Sequence, residues 1–346
     1  MTLASVQGQP RAMDALQSAL RTGSVHHAYL FAGPEGVGKE LAAVGLAQAL
    51  TCPEAPEVGC GRCASCVRIA KGLHPDVTYV MPDDERVSRG LAGRSDFTGT
   101  PSRELRVEQI RQLQERLALR GLESKRKVAI IVSAEQMNVQ AQNAFLKTLE
   151  EPPSETTLIL VASAMDRLLP TIRSRCSKVH FAPLPVEMVA EHVREARKLD
   201  ADTAALAAVM SGGSLGRALA LDVKALARRK DVITAFEALR GNDIPGLLRF
   251  AEGHGGSRED ADATLELLLL WTRDVALAKA EAEAEAGMAN RDLKALAAEV
   301  ASRTSEAALH RRNALLEAAR VAIGTRNGAP RLQLERLLIE LCVEGR

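Results

Sequence analysis

The sequence predicts a mixed α/β domain built on a parallel sheet, followed by an all-α half. Three observations predict it. In the first half of the 346 residues, short apolar runs alternate with segments of helical periodicity, the pattern of strands joined by crossover helices. One of those runs leads directly into a Gly-rich turn that ends in Lys39. Beyond "FAPLPVEMV" (181–189) the strand-like runs stop and amphipathic helical patterns take over.

Taken in order, "AYLFAG" (28–33), "DVTYVM" (76–81), "KVAIIVS" (127–133) and "TLILVAS" (157–163) read as buried strands, since apolar β-branched and aromatic runs of this length suit a sheet covered on both faces. "MNVQAQNAFLKTLEEPP" (137–153) reads as a helix, with Met137, Ala141, Ala144, Phe145 and Leu149 near helical spacing and a double proline to end it. The stretch 185–224 reads as a small helical unit ending in "SGGSLGRALAL". From about residue 225 the chain is Ala- and Leu-rich, and its alternating section "LAKAEAEAEAGMANRD" reads as solvated helix and loop. Domains are accordingly expected at 1–183, 184–224 and 225–346.

Composition narrows the function. With 46% hydrophobic and 26% charged residues and a formal net charge of +1, nothing pulls the whole chain toward nucleic acid or membrane, and any DNA contact needs a local patch. The opening "MTLASVQGQPRAMDALQSAL" lacks a basic segment followed by an apolar one, and no stretch approaches the roughly 18 uninterrupted apolar residues of a membrane span. A cytoplasmic protein is expected. Four of the six cysteines crowd between 52 and 66, which argues against a distributed disulfide framework.

The turn "GPEGVGKE" (33–40) is one residue from the phosphate-binding pattern G-x-x-x-x-G-K-[ST]. Strand, Gly-rich turn and helix start gather backbone N–H groups around a phosphate, and Gly33, Gly36, Gly38 and Lys39 supply that cradle and its charge. The final hydroxyl, which ligates Mg²⁺ in active loops, is replaced by Glu40. The later strand that should end in a metal-directing carboxylate ends instead in Val132 and Ser133. Glu135, two positions on, reads as a surface charge on the turn, with a displaced acidic role as the alternative. Loss of both metal positions argues against ATP turnover and leaves nucleotide binding open.

"TCPEAPEVGCGRCASC" places Cys52, Cys60, Cys63 and Cys66 at C-x7-C-x2-C-x2-C spacing. Two C-x2-C turns sharing Cys63, with Gly59 and Gly61 easing the chain, can bring four thiolates to one Zn²⁺. Such a closed site is structural; the alternative is a cluster of free or redox-active thiols. In "PTIRSRCSK" (170–178), Arg173 and Arg175 follow the last strand. From spacing alone a structural ion pair is the commoner reading, and an arginine finger reaching a neighbouring nucleotide site is the other. Lys125, Arg126 and Lys127 could meet DNA phosphates, although a charged turn before a strand explains them as well.

"HHAYLFAGPEGVGK", the cysteine module, "HPDV" (74–77), "QNAFLKTLEEPP" and "LLPTIRSRC" follow one another in an order that resembles bacterial clamp-loader subunits of the AAA+ class. The departures at Glu40, Val132 and Ser133 make the chain more similar to the delta-prime branch of that family than to the ATP-hydrolysing gamma/tau branch. The resemblance covers roughly residues 5–220, and "NGAPRLQLERLLIEL" (327–341) resembles the family's last helix. It implies a RecA-like P-loop domain with a zinc insertion, a small helical lid and a helical collar that packs into a pentameric ring. It also implies gamma/tau and delta partners, ATP bound by those partners, and a sliding clamp loaded onto primed DNA. Arg175 becomes the finger that completes a neighbour's ATP site, Arg217 in "GSLGRAL" a sensor near a nucleotide or its remnant, and Ser163 a residue near a second sensor position. Two rivals stay open: an active ATPase of gamma type or standing alone, and a zinc-stabilised DNA-binding module.

Overall fold

The computed structural model describes residues 2–221, 223–280, 288–324 and 328–343. The alternating Glu/Ala run at 281–287 lies outside them. The chain divides into two compact units, Met1–Met188 with Gly213–Arg217, and Val189–Gly212 with Ala218–Arg346.

The first unit is built on a five-stranded parallel sheet of β1 (Ala28–Ala32), β2 (Val77–Val80), β3 (Lys127–Ile131), β4 (Thr156–Ala162) and β5 (Ser177–His180), ordered β2-β3-β4-β1-β5. Side chains alternate across the pleat. Tyr29, Phe31, Val128, Ile130, Ile159 and Val161 enter one core, with residues from α1 (Pro10–Arg21) and α2 (Lys39–Thr51) such as Leu16 and Leu46. Leu30, Ile131, Leu158 and Leu160 enter the other, against α5 (Val107–Ala118), α6 (Val139–Glu150) and α7 (Pro170–Arg175). Burial on both faces is why these strands read as continuous apolar runs, and each fully buried Leu, Ile or Phe contributes roughly 1.5–3 kcal/mol relative to an exposed one. Between them lie the short α3 (Ala64–Ala70) and α4 (Asp83–Ser88), the latter with no buried side chain. Helix α6 starts at Asn138, whose side chain accepts a hydrogen bond from Ala141 N at 2.9 Å, and it stops before Pro152 and Pro153.

The four strands read from the sequence are present, and β5 is an addition. "SKVH" buries only Val179 among polar neighbours, so it has no apolar run to betray it; it is a strand because it pairs with β1 at the sheet edge. Helices α8 (Val186–Arg197), α9 (Ala201–Met210) and α10 (Leu215–Ala220) follow. Asp200 caps α9 through Thr203 N at 2.9 Å.

The second unit's remaining helices are α11 (Val223–Ala238), α12 (Ile244–His254), α13 (Arg258–Lys279), α14 (Lys294–Arg303), α15 (Glu306–Gly324) and α16 (Pro330–Val343). Phe236, Leu247, Phe250, Leu268, Leu316 and Leu338 form one core cluster and Ile233, Trp271, Val275, Val300 and Leu309 another. Between them Glu237, almost fully buried, accepts from Trp271 Nε1 at 2.8 Å and from Arg312 at 2.8 Å. Asp274, fully buried, accepts from Ala289 N, Asn290 N and Asn290 Nδ2 at 2.7–2.9 Å. No described helix is long and apolar enough to cross a membrane.

Candidate functional site

In a parallel sheet, ligands bind beyond the carboxyl ends of the strands where the order reverses. Here β1 lies between β4 and β5, and its end feeds the Gly-rich loop. Gly38, at φ +98°, caps α2 and Gly36 has φ +71°, a region that favours glycine. Packing reinforces the requirement: a Cβ on Gly36 would lie 2.4 Å from Ser214 Oγ and 2.9 Å from Gly216 N. Gly216 N donates to Gly36 O at 3.1 Å, so the segment carrying Arg217 sits on the loop, with the Arg217 side chain exposed.

Lys39 is 5% exposed. Its Nζ donates to the carbonyls of Gly33 (2.6 Å) and Pro34 and to Ser163 Oγ (3.2 Å). Burial lowers its pKa, against the raising fields of Glu135 and Glu35. Ser163 N in turn donates to Glu135 Oε1 at 3.1 Å, while Glu135 Oε2 is buried and makes no hydrogen bond among the described residues. The sequence reading of Glu135 as a surface charge is thus corrected: a short helical turn, Ala134–Gln136, carries it back toward Ser163 and Lys39. The reason is geometric: β3 and β4 are adjacent, and β3 ends at Ile131 opposite Leu160, so the turn after it lies beside the last residues of β4 that lead to Ser163.

The positions expected to hold Mg²⁺ are otherwise engaged. Glu40 makes a two-pronged ion pair with Arg89, at 2.5 and 2.8 Å. Arg89 also pairs with Glu85, and Glu85 Oε2 accepts from Ser133 Oγ at 2.9 Å. Val132 is buried in the sheet core. These residues do not fit a divalent ion. Sequence reading missed Arg89 and Glu85, which carry no motif.

The four cysteines do fit one. Their Sγ atoms all lie within 4.8 Å of one another, with Cys52–Cys63 at 3.9 Å and Cys60–Cys66 at 4.0 Å. Those separations are far beyond the ~2.05 Å of a disulfide and close to the edge of about 3.8 Å that a tetrahedron of ~2.3 Å metal–sulfur bonds requires. Backbone N–H groups of Ala55 and Cys60 point at Cys52 Sγ, Cys63 N at Cys60 Sγ and Cys66 N at Cys63 Sγ, at 3.2–3.5 Å. Burial opposes ionisation of Cys52, yet the N–H groups of Cys60, Ala55 and Glu54 bring its pKa down to about 7. Gly59 and Gly61 take φ +76° and +71° in the connecting turns. The cluster could hold a metal ion and closes all four corners with protein sulfur.

Arg175 pairs with Glu150 at 2.8 Å and donates to Thr171 O at 3.0 Å; Arg173 pairs with Asp166 at 3.1 Å. The Arg175 side chain is 37% exposed. Of the basic trio, Lys127 bonds the carbonyls of Leu117 and Leu119 and Arg126 pairs with Glu155 at 3.7 Å, which supports the charged-turn reading over a DNA patch. The "HPDV" stretch is structural: Asp76 accepts from the N–H groups of Leu122, Glu123 and Ser124 at 2.7–2.8 Å, and His74 Nδ1 accepts from Asp76 N at 3.1 Å.

A parallel α/β domain covered on both faces, with a Gly-rich strand-to-helix loop closed over a buried lysine, is the class of protein that this geometry defines. Within that class the chain belongs to the family described as DNA polymerase III, delta subunit, which matches residues 8–185. It is 38% identical over 187 residues to DNA polymerase III subunit delta′ of Bacillus subtilis strain 168, covering 54% of this chain and 51% of that one. It is also 38% identical over 174 residues to the Pseudomonas aeruginosa delta′ subunit, covering 50% and 48%. The gamma/tau subunit of Mycobacterium tuberculosis H37Rv is 34% identical over 185 residues, 53% of this chain and 29% of its own. The chain thus spans about half the length of the delta′ relatives it matches. A solved gamma-subunit-related protein of Thermotoga maritima covers 96% of this chain and 99% of its own at 18% identity and a TM-score of 0.41.

Proposed function

We propose that the chain is a clamp-loader subunit of delta-prime type, which takes part in placing a sliding clamp on primed DNA without hydrolysing ATP itself. In this reading residues 1–183 are an AAA+ RecA-like domain with a structural Zn²⁺ module at 52–66, 184–224 a helical lid and 225–346 a collar. Gamma/tau and delta subunits complete a hetero-pentameric ring and bind the ATP. The observation that carries the reading is a phosphate loop that keeps its glycines and Lys39 but meets an ion-paired glutamate at position 40 and no carboxylate at 132 or 133.

Arg175 is then the finger donated to a neighbour. Its present partner is no obstacle, because a half-exposed ion pair such as Arg175–Glu150 is worth about 0–1 kcal/mol, whereas a finger in place contributes on the order of 10³-fold or more in phosphoryl transfer. An ATPase site split across an interface couples docking to hydrolysis, since the finger arrives only with the correctly seated neighbour. The test is DNA-stimulated ATP turnover by the chain alone and by an assembly with gamma/tau and delta subunits carrying either this chain or its Arg175→Ala variant. Silence alone, with a fall on the order of 10³-fold at the dependent site in single-turnover measurements, is expected. Turnover by the isolated chain that ignores Arg175→Ala would instead make it a gamma/tau-type ATPase.

A further inference from the structure

The two positions that should direct a divalent ion converge on one guanidinium. Glu40 begins α2, Ser133 follows β3, and the chain of contacts Glu40–Arg89–Glu85–Ser133 joins them through α4 and the residue after it. The fork of Arg89 meets both oxygens of Glu40, the bidentate geometry at which Arg binds carboxylate best. Helix α4 buries no side chain, so apolar packing does not hold it. Polar contacts do: Arg89 and Glu85 on the loop side, Asp84 N to Ser102 O at 3.1 Å, and Gln109 Nε2 to Met81 O at 3.0 Å and Asp83 Oδ1 at 3.3 Å.

We propose that Arg89 takes the place of the divalent ion: its guanidinium bridges Glu40 and Glu85, offsets part of their charge and braces the phosphate loop to α4 and the end of β3, closing the site to Mg²⁺. Glu40 is then the residue that recruits this internal cation, and its presence is more than the loss of a hydroxyl. A carboxylate at position 40 without Arg89 would stand beside Glu85 with no compensating charge; Arg89 without Glu40 would lose its two-pronged partner. The inference rests on reading 33–40 as a phosphate loop and not on clamp loading, so neither partner subunits nor ATP turnover enters its test.

The test is Mn²⁺ binding to the full chain, read from the EPR signal of free Mn²⁺, together with amide exchange over residues 83–89. Mn²⁺ prefers oxygen to thiolate ligands and so leaves the cysteines aside. The wild-type chain is expected to show no saturable site sensitive to Glu40→Gln. Arg89→Ala should gain one at least about tenfold tighter than anything in the wild type, as two carboxylates lose their cation, and adding Glu40→Gln should abolish it. Glu40→Gln alone, which leaves every element's core intact, should speed exchange over 83–89 without creating a Mn²⁺ site. A wild-type Mn²⁺ site lost with Glu40→Gln, an Arg89→Ala chain with no added Mn²⁺ affinity, or unchanged exchange in Glu40→Gln would each overturn the proposal.

Discussion

Single carboxylates at sheet ends organise the first unit. Asp76 is the clearest: burial by itself would raise its pKa, but the N–H groups of Leu122, Glu123 and Ser124 and the Ser124 hydroxyl outweigh that and hold it below the ordinary range. A carboxyl depressed in the folded state adds stability that is present above its unfolded pKa and is lost as the pH falls through the folded value. Asp76→Asn puts an amide where donors converge and should lower stability by about 1.5–3 kcal/mol at neutral pH. In urea titrations the gap between variant and wild type should narrow as the pH drops below about 4; a constant gap would show that the charge is irrelevant. Arg175 is the opposite case. Losing its half-exposed partner should change the folding free energy of Arg175→Ala by less than about 1 kcal/mol, checked by the same titration, so a large activity loss in an assembly could not be a folding defect.

Among elements, the cysteine module shows how short segments without a large core are held. Its buried cluster amounts to Cys52, Cys63 and Cys66 with Ala55 and Cys60 packed against them, too little apolar surface to fix a 15-residue span (52–66). A metal at the four sulfurs would supply the missing constraint. One zinc per chain is the expected content by atomic emission, and a strong chelator should release it with the appearance of reactive thiols at Cys52 and Cys60. Amide protection over 52–66 should fall while that of β1, β3 and β4 stays, because their cores are built from other residues. Thiols fully reactive before chelation would point to the free-thiol alternative instead.

At the scale of the whole molecule, two units keep separate cores and separate polar anchors. In the second, Glu237 joins Trp271 on α13 to Arg312 on α15 and lies 3.6 Å from Arg303 on α14. Removing one member of a buried ionic group costs about 3–5 kcal/mol, because the charge it compensated stays in a low-dielectric interior. Glu237→Ala is therefore expected to destabilise the helical unit by about that amount, with hydrogen exchange accelerated in α11, α13 and α15 and unchanged in the sheet. Equal loss of protection in both units would mean that they unfold as one.

The sequence by itself determined the local pieces: β1, the Gly-rich turn and α2 in order, the four thiols at metal spacing, four of the strands, and the change from α/β to all-α near residue 189. These are legible because periodicity, turn chemistry and close Cys spacing act between neighbours along the chain. The edge strand β5, the turning of Glu135 toward Lys39, and the use of "HPDV" as an anchor for residues 122–124 were decided by the fold. So was Arg89 as the partner of Glu40, 49 residues away. An ion pair has no sequence period: its members are chosen by which strand ends the sheet order brings side by side, and that order is settled only when both faces of the sheet are buried.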